Sequence, residues 1–324
     1  MPLPDFADLP IDGSRPPGSS WGVWGEDDRL GCLNLLTPQR VTAGAACVRK
    51  RAVFPLNLEL HLPDPPLFGR PAFEHRVSDL GGIGHDEELH GWNTQGSSQW
   101  DGFRHISHPA HGFYNGIADA DHGIDHWARK GIAGRAVLAD VGRWRQTAGR
   151  PLQPGTSDAI EPSDITMTLA AQGSPVEEGD VLLVRTGWLS WYRSLDEDAR
   201  QALASAPLQA CGLRPGTATI ELLWNLHVAA LALDNPAVEV WPPGAGLSNG
   251  EDAAVLRADP ARMHEVFAHF ALLGLIGLPL GEMWDLDALA ADCAEDGVYT
   301  CLLTSAPLHL RGGVASPPNA LAIK

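Results

Sequence analysis

The sequence lacks closely spaced cysteines. Its five cysteines are odd in number and far apart, and none forms a Cys-x-x-Cys pair. Paired, closely spaced cysteines build structural zinc sites and disulfide frameworks. We therefore expect neither, and the pattern is typical of free, mostly buried thiols in a reducing compartment.

Positive charge is also scarce, with 23 Lys and Arg against 40 Asp and Glu and a net charge of -17. Nucleic acids and anionic membrane surfaces are bound by clustered Lys and Arg, so we expect neither as a partner. The longest apolar run, residues 267–280, is interrupted by His269 and Pro279 and is too short for a transmembrane helix. Residues 1–13 lack the basic and apolar regions of a signal peptide. We expect a cytoplasmic protein.

Several common catalytic motifs are missing, including the P-loop, the His-Glu-x-x-His helix and the dinucleotide fingerprint. One Gly-x-Ser-x-Gly match, centred on Ser248, resembles the nucleophile elbow of serine hydrolases. That elbow needs a strand that runs directly into the turn, whereas Pro242, Pro243 and two small residues precede this match. The pattern therefore disfavours a serine hydrolase.

Short apolar segments alternate with helical patterns along the chain. We predict strands at residues 53–62, 136–141, 181–187, 228–233 and 298–305, and helices at residues 38–50, 123–131, 163–172, 214–226, 263–273 and 285–291. Continuously apolar strands are typical of a sheet buried on both faces. The prediction is an α/β fold: a single domain with a mixed, largely buried sheet or barrel-like core, flanking helices and long surface loops. Residues 1–20 are predicted as an irregular arm, residues 21–324 as one domain, and residues 63–90 as a surface excursion.

One stretch in the first third of the chain is dense in metal-binding and proton-transferring side chains. Gln95, Ser97, Gln99 and Asp101 would lie on one face of an extended segment, because side chains alternate along a strand. Oxygen donors that point into one space form half of a site for a hard or borderline cation. His105 would then act as a general base. The alternative is an ordinary polar turn with surface histidines.

A second candidate pair lies in the apolar C-terminal third. His269 falls in a predicted helix, and Glu282 follows a glycine-rich apolar connection. A histidine on an apolar helix is more often a hydrogen-bonded core residue than a ligand. A carboxylate in an apolar stretch is costly to bury unless it is paired or metal-bound, so Glu282 is the stronger signal.

Further motifs extend over most of the chain: Trp24-Gly-x-x-Asp-x-x-Gly-x-x-Asn-Leu-Leu-Thr37, Gly179-Asp-Val-Leu-Leu-Val-Arg-Thr-Gly-Trp188, Asp234-Asn235, Ala306-Pro-Leu308, Arg311-Gly-Gly313 and Ser316-Pro317. Together with His269 and Glu282, they resemble the family of putative cyclases related to bacterial kynurenine formamidase and isatin hydrolase, in its longer branch. The resemblance implies the swivelling β/α fold of that family.

The family hallmark, His-x-Gly-Thr-His-x-Asp-x-x-x-His, is similar to the stretch that ends at His105. The resemblance implies that Asp101 binds metal and that His105 donates and accepts a proton. The two leading histidines of the hallmark are replaced by Gln95 and Gln99. An amide oxygen is a weaker and harder donor than an imidazole nitrogen, so the first metal position should be weakened. The later His and Glu of the family fall on His269 and Glu282.

The resemblance implies a hydrolase that cleaves an amide or lactone bond of a small cyclic or aromatic compound, by metal-activated water with His105 as proton shuttle. The state of the metal is left open. Asp101, His269 and Glu282, with help from Gln99, could hold Zn²⁺ or Mn²⁺. A harder ion such as Mg²⁺ or Ca²⁺ could replace that ion. Alternatively, the acid–base groups could work with no metal at all.

Two other functions stay open at this point: a metal-independent cyclase or lactonising enzyme of a biosynthetic pathway, and a non-catalytic relative that binds a small ligand. We predict that Trp24, Arg104 and His108 line the substrate site. The resemblance also implies a homodimer or homotetramer.

Overall fold

The apolar segments form a buried sheet, as predicted. The computed structural model describes residues 3–247 and 252–324, so Ser248 lies outside the described residues. The strands are β1 Val53–Pro55, β2 Glu74–Asp79, β3 His85–His90, β4 Gln99–Asp101, β5 Ile132–Ala139, β6 Ala159–Ile160, β7 Val181–Val184, β8 Gly212–Leu213, β9 Ala230–Leu233, β10 Leu280–Glu282, β11 Thr300–Ser305, β12 Ala315–Ser316 and β13 Ala320–Ile323.

The α-helices are α1 Pro38–Ala45, α2 Asp125–Lys130, α3 Val141–Thr147, α4 Pro162–Gln172, α5 Trp188–Ser194, α6 Glu197–Ser205, α7 Thr217–Asn225, α8 Ala253–Arg257, α9 His269–Gly274 and α10 Asp287–Asp296. Five short 3-10 helices complete the list: Phe6–Asp8, Gly31–Leu35, Tyr114–Gly116, Asp119–Asp121 and Pro260–Glu265. Within the described ranges, no helix is long and apolar enough to cross a membrane.

Nine strands form one curled, half-barrel sheet in the order β1-β13-β11-β5-β7-β9-β10-β4-β12. Its centre is parallel, from β5 through β7 and β9 to β10, and antiparallel strands complete it on both sides. Every residue of β7 and β9 is buried, because helices in the crossover connections cover parallel strands on both faces. The predicted single α/β domain with a mixed, buried sheet is confirmed.

Three local predictions outside the candidate site were wrong. The strand predicted over residues 53–62 ends at Pro55. Residues 74–90, expected to be irregular, form the β2–β3 hairpin. Both of its strands are exposed throughout, so the sequence has no buried/exposed alternation that could reveal them. The helix predicted over residues 263–273 is instead a 3-10 helix followed by α9. The Glu239 carboxylate accepts the backbone N–H of His269 at 3.1 Å, which fixes a new helix start there.

The orientation of β4 is set by Trp100, which is fully buried on the face opposite to Gln99 and Asp101. The Trp100 ring packs at 4.7 Å against Trp284, and its Nε1–H donates to the Ser305 hydroxyl at 2.9 Å. Rotation of the strand would break this packing and expose an indole. The polar side chains of β4 are therefore held on one face.

Gly281 on β10 permits close packing beside this strand. A Cβ at Gly281 would lie 2.6 Å from Trp284 Nε1 and 2.7 Å from Ala232 Cβ. Gly281→Ala should lower the free energy of unfolding by about 2 kcal/mol, because overpacking a filled core typically costs this much. Urea unfolding would measure it. Gly84→Ala, where a Cβ meets nothing within 4 Å, is the control. Equal stability of the two variants would contradict the packing argument.

Candidate metal and acid–base site

The antiparallel register of β4 and β10 places Gln99 directly opposite Glu282 and Asp101 opposite Leu280. Because Gln99 and Asp101 are two residues apart, both side chains lie on the same face as Glu282. Asp101 is fully buried and Glu282 is 4% exposed. Glu282 ends a parallel strand, and the carboxyl edge of such strands is where α/β folds hold ligands.

His269, the first residue of α9, completes this group. Its Nε2 lies 3.2 Å from Glu282 Oε1 and 3.9 Å from Asp101 Oδ2. One ligand atom from each of Asp101, His269 and Glu282 lies within 4.8 Å of the others. The structure thus brings together three side chains that are far apart in the sequence, as predicted.

The other nitrogen of His269 is bound by a residue that the sequence prediction missed. Glu239 is fully buried, and its carboxylate oxygens lie 2.8 and 2.9 Å from His269 Nδ1. A carboxylate that accepts the Nδ1–H leaves the Nε2 lone pair directed at the cluster, as in metal-bound histidines. Glu239 stands in an apolar stretch just as Glu282 does, and that signal could have identified it.

The backbone is strained beside both buried glutamates. Val238 and Met283 each have a φ of 52°, which is rare for residues other than glycine and an outlier for a β-branched one. Asn235 holds both turns: its side-chain amide donates to the Val238 carbonyl at 3.1 Å, and its carbonyl accepts the Met283 N–H at 3.0 Å. Backbone strain of this kind is concentrated at functional sites.

The two glutamines contact the carboxylates through their amide nitrogens. Gln99 Nε2 donates to Glu282 Oε2 at 2.5 Å and lies 3.4 Å from Asp101 Oδ2. Gln95 Nε2 donates to Asp101 Oδ1 at 2.7 Å and lies 2.9 Å from His105 Nδ1. In this structure they act as donors, whereas oxygen ligands were expected. The Gln99 amide oxygen is buried and has no hydrogen-bond partner among the described residues.

The extended strand predicted from residue 95 begins only at Gln99. Gln95 reaches the site from the preceding loop, where its backbone N–H is held by the Asn93 side chain at 2.8 Å. Ser97, predicted on the same face, instead donates to the Glu59 carbonyl at 3.1 Å. The single face predicted for the whole segment was therefore wrong for Ser97.

Burial raises the pKa of Glu282 to about 7, and the Asp101 carboxylate beside it acts in the same direction. Burial opposes the charged form of His269, but Glu239, Asp101 and Glu282 together outweigh it, and the pKa of His269 lies well above its usual value. For Asp101, burial is outweighed by His105 and His269, and its pKa is lowered. Burial lowers the pKa of His105, which favours a neutral imidazole able to accept a proton.

These residues fit one divalent ion. Two carboxylates and an imidazole nitrogen are a donor set for Zn²⁺ or Mn²⁺. Without an ion, three acceptors would face one another with only the glutamine amides and any bound protons between them. The prediction that Asp101, His269 and Glu282 are ligands stays a prediction that this geometry supports.

A cavity of about 270 Å³ opens onto the cluster. Its walls combine site residues, aromatic rings and one arginine, and they consist of Phe68, Arg70, His105, Ile106, Pro236, Ala237, Trp241, Phe267, His269 and Glu282. The His105 side chain is 24% exposed, so it is reachable from the cavity. The site can therefore admit a small molecule.

Trp24, Arg104 and His108, predicted to contact substrate, do not line this cavity. The Trp24 ring packs against Trp224 at 6.0 Å. The Arg104 guanidinium forms an ion pair with Asp119 at 2.7 Å, on a surface loop. His108 is buried and stacks on a neighbouring histidine. Each of these side chains is engaged elsewhere, so their role in substrate binding stays a prediction that this cavity does not support.

The sequence profile of the family described as "Putative cyclase" matches residues 49–240, which is more than half of the chain. A search of curated proteins finds no match.

Solved structures share the fold. The crystal structure of a novel cyclase is 29% identical, with a TM-score of 0.78, and the match covers 94% of this chain and 99% of that chain. Isatin hydrolase A from Ralstonia solanacearum is 16% identical, with a TM-score of 0.55 and coverage of 89% and 99%. An isatin hydrolase bound to the product analogue thioisatinate is also 16% identical, with a TM-score of 0.53 and coverage of 89% and 98%. At 16% identity the likeness shows the fold alone.

Glu239→Gln should weaken binding of a divalent ion about 10- to 100-fold, because loss of the charge that orients a liganding histidine typically costs this much. Calorimetric titration with Zn²⁺ or Mn²⁺ would measure the affinity. Glu265→Gln, in the 3-10 helix before α9, is the matched control and should bind as the unmodified protein does. Unchanged affinity in Glu239→Gln would contradict the orienting role.

Proposed function

Because this chain belongs to the putative cyclase family, we propose that it is a metal-dependent hydrolase that cleaves an amide or lactone bond of a small cyclic or aromatic compound. One observation carries the proposal: Asp101, His269 and Glu282 converge within 4.8 Å, buried at the base of a cavity. Burial of two carboxylates beside a histidine is costly unless the groups are paired, hydrogen-bonded or metal-bound, and such sets of buried titratable groups are typical of functional sites. The shared fold of two isatin hydrolases is consistent with this class of reaction.

Each side chain then has a role. An ion held by Asp101, His269 and Glu282 would polarise the scissile carbonyl and lower the pKa of water at the site. Glu239 positions His269, and the Gln95 and Gln99 amides hold the carboxylate oxygens in place.

His105 is the proton shuttle in this proposal. Its imidazole is neutral because burial lowers its pKa, so it can take a proton from the attacking water and return it to the leaving group. The Gln95 amide, 2.9 Å from His105 Nδ1, fixes the orientation of the ring. The His105 side chain lies near Asp101 and is also exposed to the cavity, where a substrate would lie.

A second candidate is a metal-independent cyclase or lactonising enzyme. The Gln99 amide favours it, because its N–H group contacts both Glu282 and Asp101 and partly offsets their mutual repulsion without an ion. In that case, Asp101, His105 and Glu282 would carry the acid–base chemistry alone.

The metal-dependent proposal predicts about one divalent ion per chain in the purified protein. Dialysis against a chelator should abolish turnover of a panel of aryl formamides and lactones, and added Zn²⁺ or Mn²⁺ should restore it. Elemental analysis and the rate assay are the measurements. Full turnover by metal-free protein would favour the second candidate, and absence of turnover with metal bound would favour a non-catalytic ligand-binding relative.

His105→Ala should lower kcat by about 100- to 10,000-fold, because general acid–base catalysis typically contributes this much. Its metal content should stay unchanged, since His105 is outside the proposed ligand set. Rate assays and elemental analysis of the same preparation separate the two effects. His85→Ala, on the exposed β2–β3 hairpin, controls for the substitution itself. Loss of metal together with activity would make His105 a ligand and overturn its role as shuttle.

Assembly as a homodimer or homotetramer and a cytoplasmic location stay predictions from the sequence. Light scattering on the purified full chain would determine the number of subunits. The proposed chemistry is contained within one chain, because all the groups invoked above come from described residues of that chain.

A further inference from the structure

Arg70 is the one arginine or lysine among the residues that line the cavity. It is half-buried, and no described carboxylate lies within ion-pair distance of it. Its Nη1–H donates to the backbone carbonyl of Gln95, and this is the one hydrogen bond of the guanidinium to the described residues. The Arg70 charge acts on the Glu282 carboxylate across the cavity without a direct ion pair. A partly desolvated guanidinium in this position has donors to spare and gains from an anion that arrives.

The backbone before Arg70 adopts an unusual turn. Phe68 has a φ of 59° and Gly69 a φ of 67°, so two consecutive residues are left-handed. For a bulky aromatic residue this conformation is an outlier that indicates a local constraint. The turn sets the Arg70 guanidinium over the Phe68 ring, 5.0 Å from its centroid, and both side chains line the cavity.

Aromatic rings connect this turn to the acid–base cluster. The Trp241 ring lies 5.0 Å from Phe68 at 77° and 6.1 Å from Phe267 at 79°. The Phe267 ring stacks on His269 at 4.6 Å and 2°. The wall between Arg70 and His269 is thus a series of apolar ring faces and edges, which suits a flat, apolar molecular body.

We infer that Arg70 binds a carboxylate carried by the substrate, whose flat body lies against Trp241 and Phe267. The scissile amide or lactone would then face His105 and Glu282. This inference rests on the proposed hydrolase function and adds the substrate class: monoanionic, planar carboxylates.

A carboxylate fits better than a phosphate. The planar guanidinium matches a carboxylate in a two-point contact of balanced charge. A phosphate dianion would leave one negative charge unbalanced close to Glu282, in a chain whose net charge is already -17. Neutral compounds would leave Arg70 unpaired.

The test compares benzoate with its neutral isostere benzamide on the full-length protein. Dissociation constants would be measured by ligand-observed NMR, both with Zn²⁺ bound and after chelator treatment, because a carboxylate could otherwise bind the ion directly. Arg70→Gln should raise the dissociation constant for benzoate about tenfold or more in both states, since hydrogen bonds to charged groups contribute at this level. Benzamide binding should change less than about twofold.

Arg311→Gln, an exposed arginine outside the cavity, is the matched control and should leave both constants unchanged. An equal loss of affinity for benzoate and benzamide in Arg70→Gln would assign Arg70 a structural role only and overturn the inference. Absence of benzoate binding, or tighter binding of phenyl phosphate, would overturn it too. Charge-selective binding without turnover of any amide or lactone would refute the hydrolase proposal and leave the anion site standing.

Discussion

The register between β4 and β10 is the constraint on which the rest of this structure depends. It places Gln99 opposite Glu282 and directs Asp101 to the same face, so two carboxylates are buried within reach of one another. Each buried charge would cost several kcal/mol without compensation. The compensation is local: amide N–H groups from two glutamines, the imidazole of His269 and, in our proposal, one divalent ion. A shift of one residue would turn Trp100 into this space and leave both carboxylates unpartnered.

A second layer of polar residues determines how precisely the site is held. Glu239 fixes His269, and Asn235 holds the strained turns next to Glu239 and Glu282. Glu239 and Asn235 do not line the cavity themselves, so these contacts serve geometry, not chemistry. The left-handed backbone at Val238 is tolerated because the surrounding hydrogen bonds determine it.

The sequence predicted the apolar strands and the mixed sheet because buried strands have an unambiguous pattern. It also predicted that Asp101, His269 and Glu282 belong together, although this came from the family resemblance and not from spacing. The roles of Gln95 and Gln99 could not be predicted, because an amide offers an oxygen and an N–H group and only the tertiary contacts select between them. Arg70 was missed because it stands in an irregular segment without periodicity. The β2–β3 hairpin was missed for the same reason.

The hairpin has one consequence for how relatives of this protein can differ. Arg70 precedes the hairpin and Gln95 follows it, and the Arg70 side chain contacts the Gln95 carbonyl. The chain between them therefore leaves the cavity wall at Arg70 and returns to it. A longer or shorter loop between the same two fixed ends changes the free energy of folding only slightly. Insertions and deletions between these two residues should therefore accumulate without loss of the cavity. Homologues are expected to differ in the length of this segment.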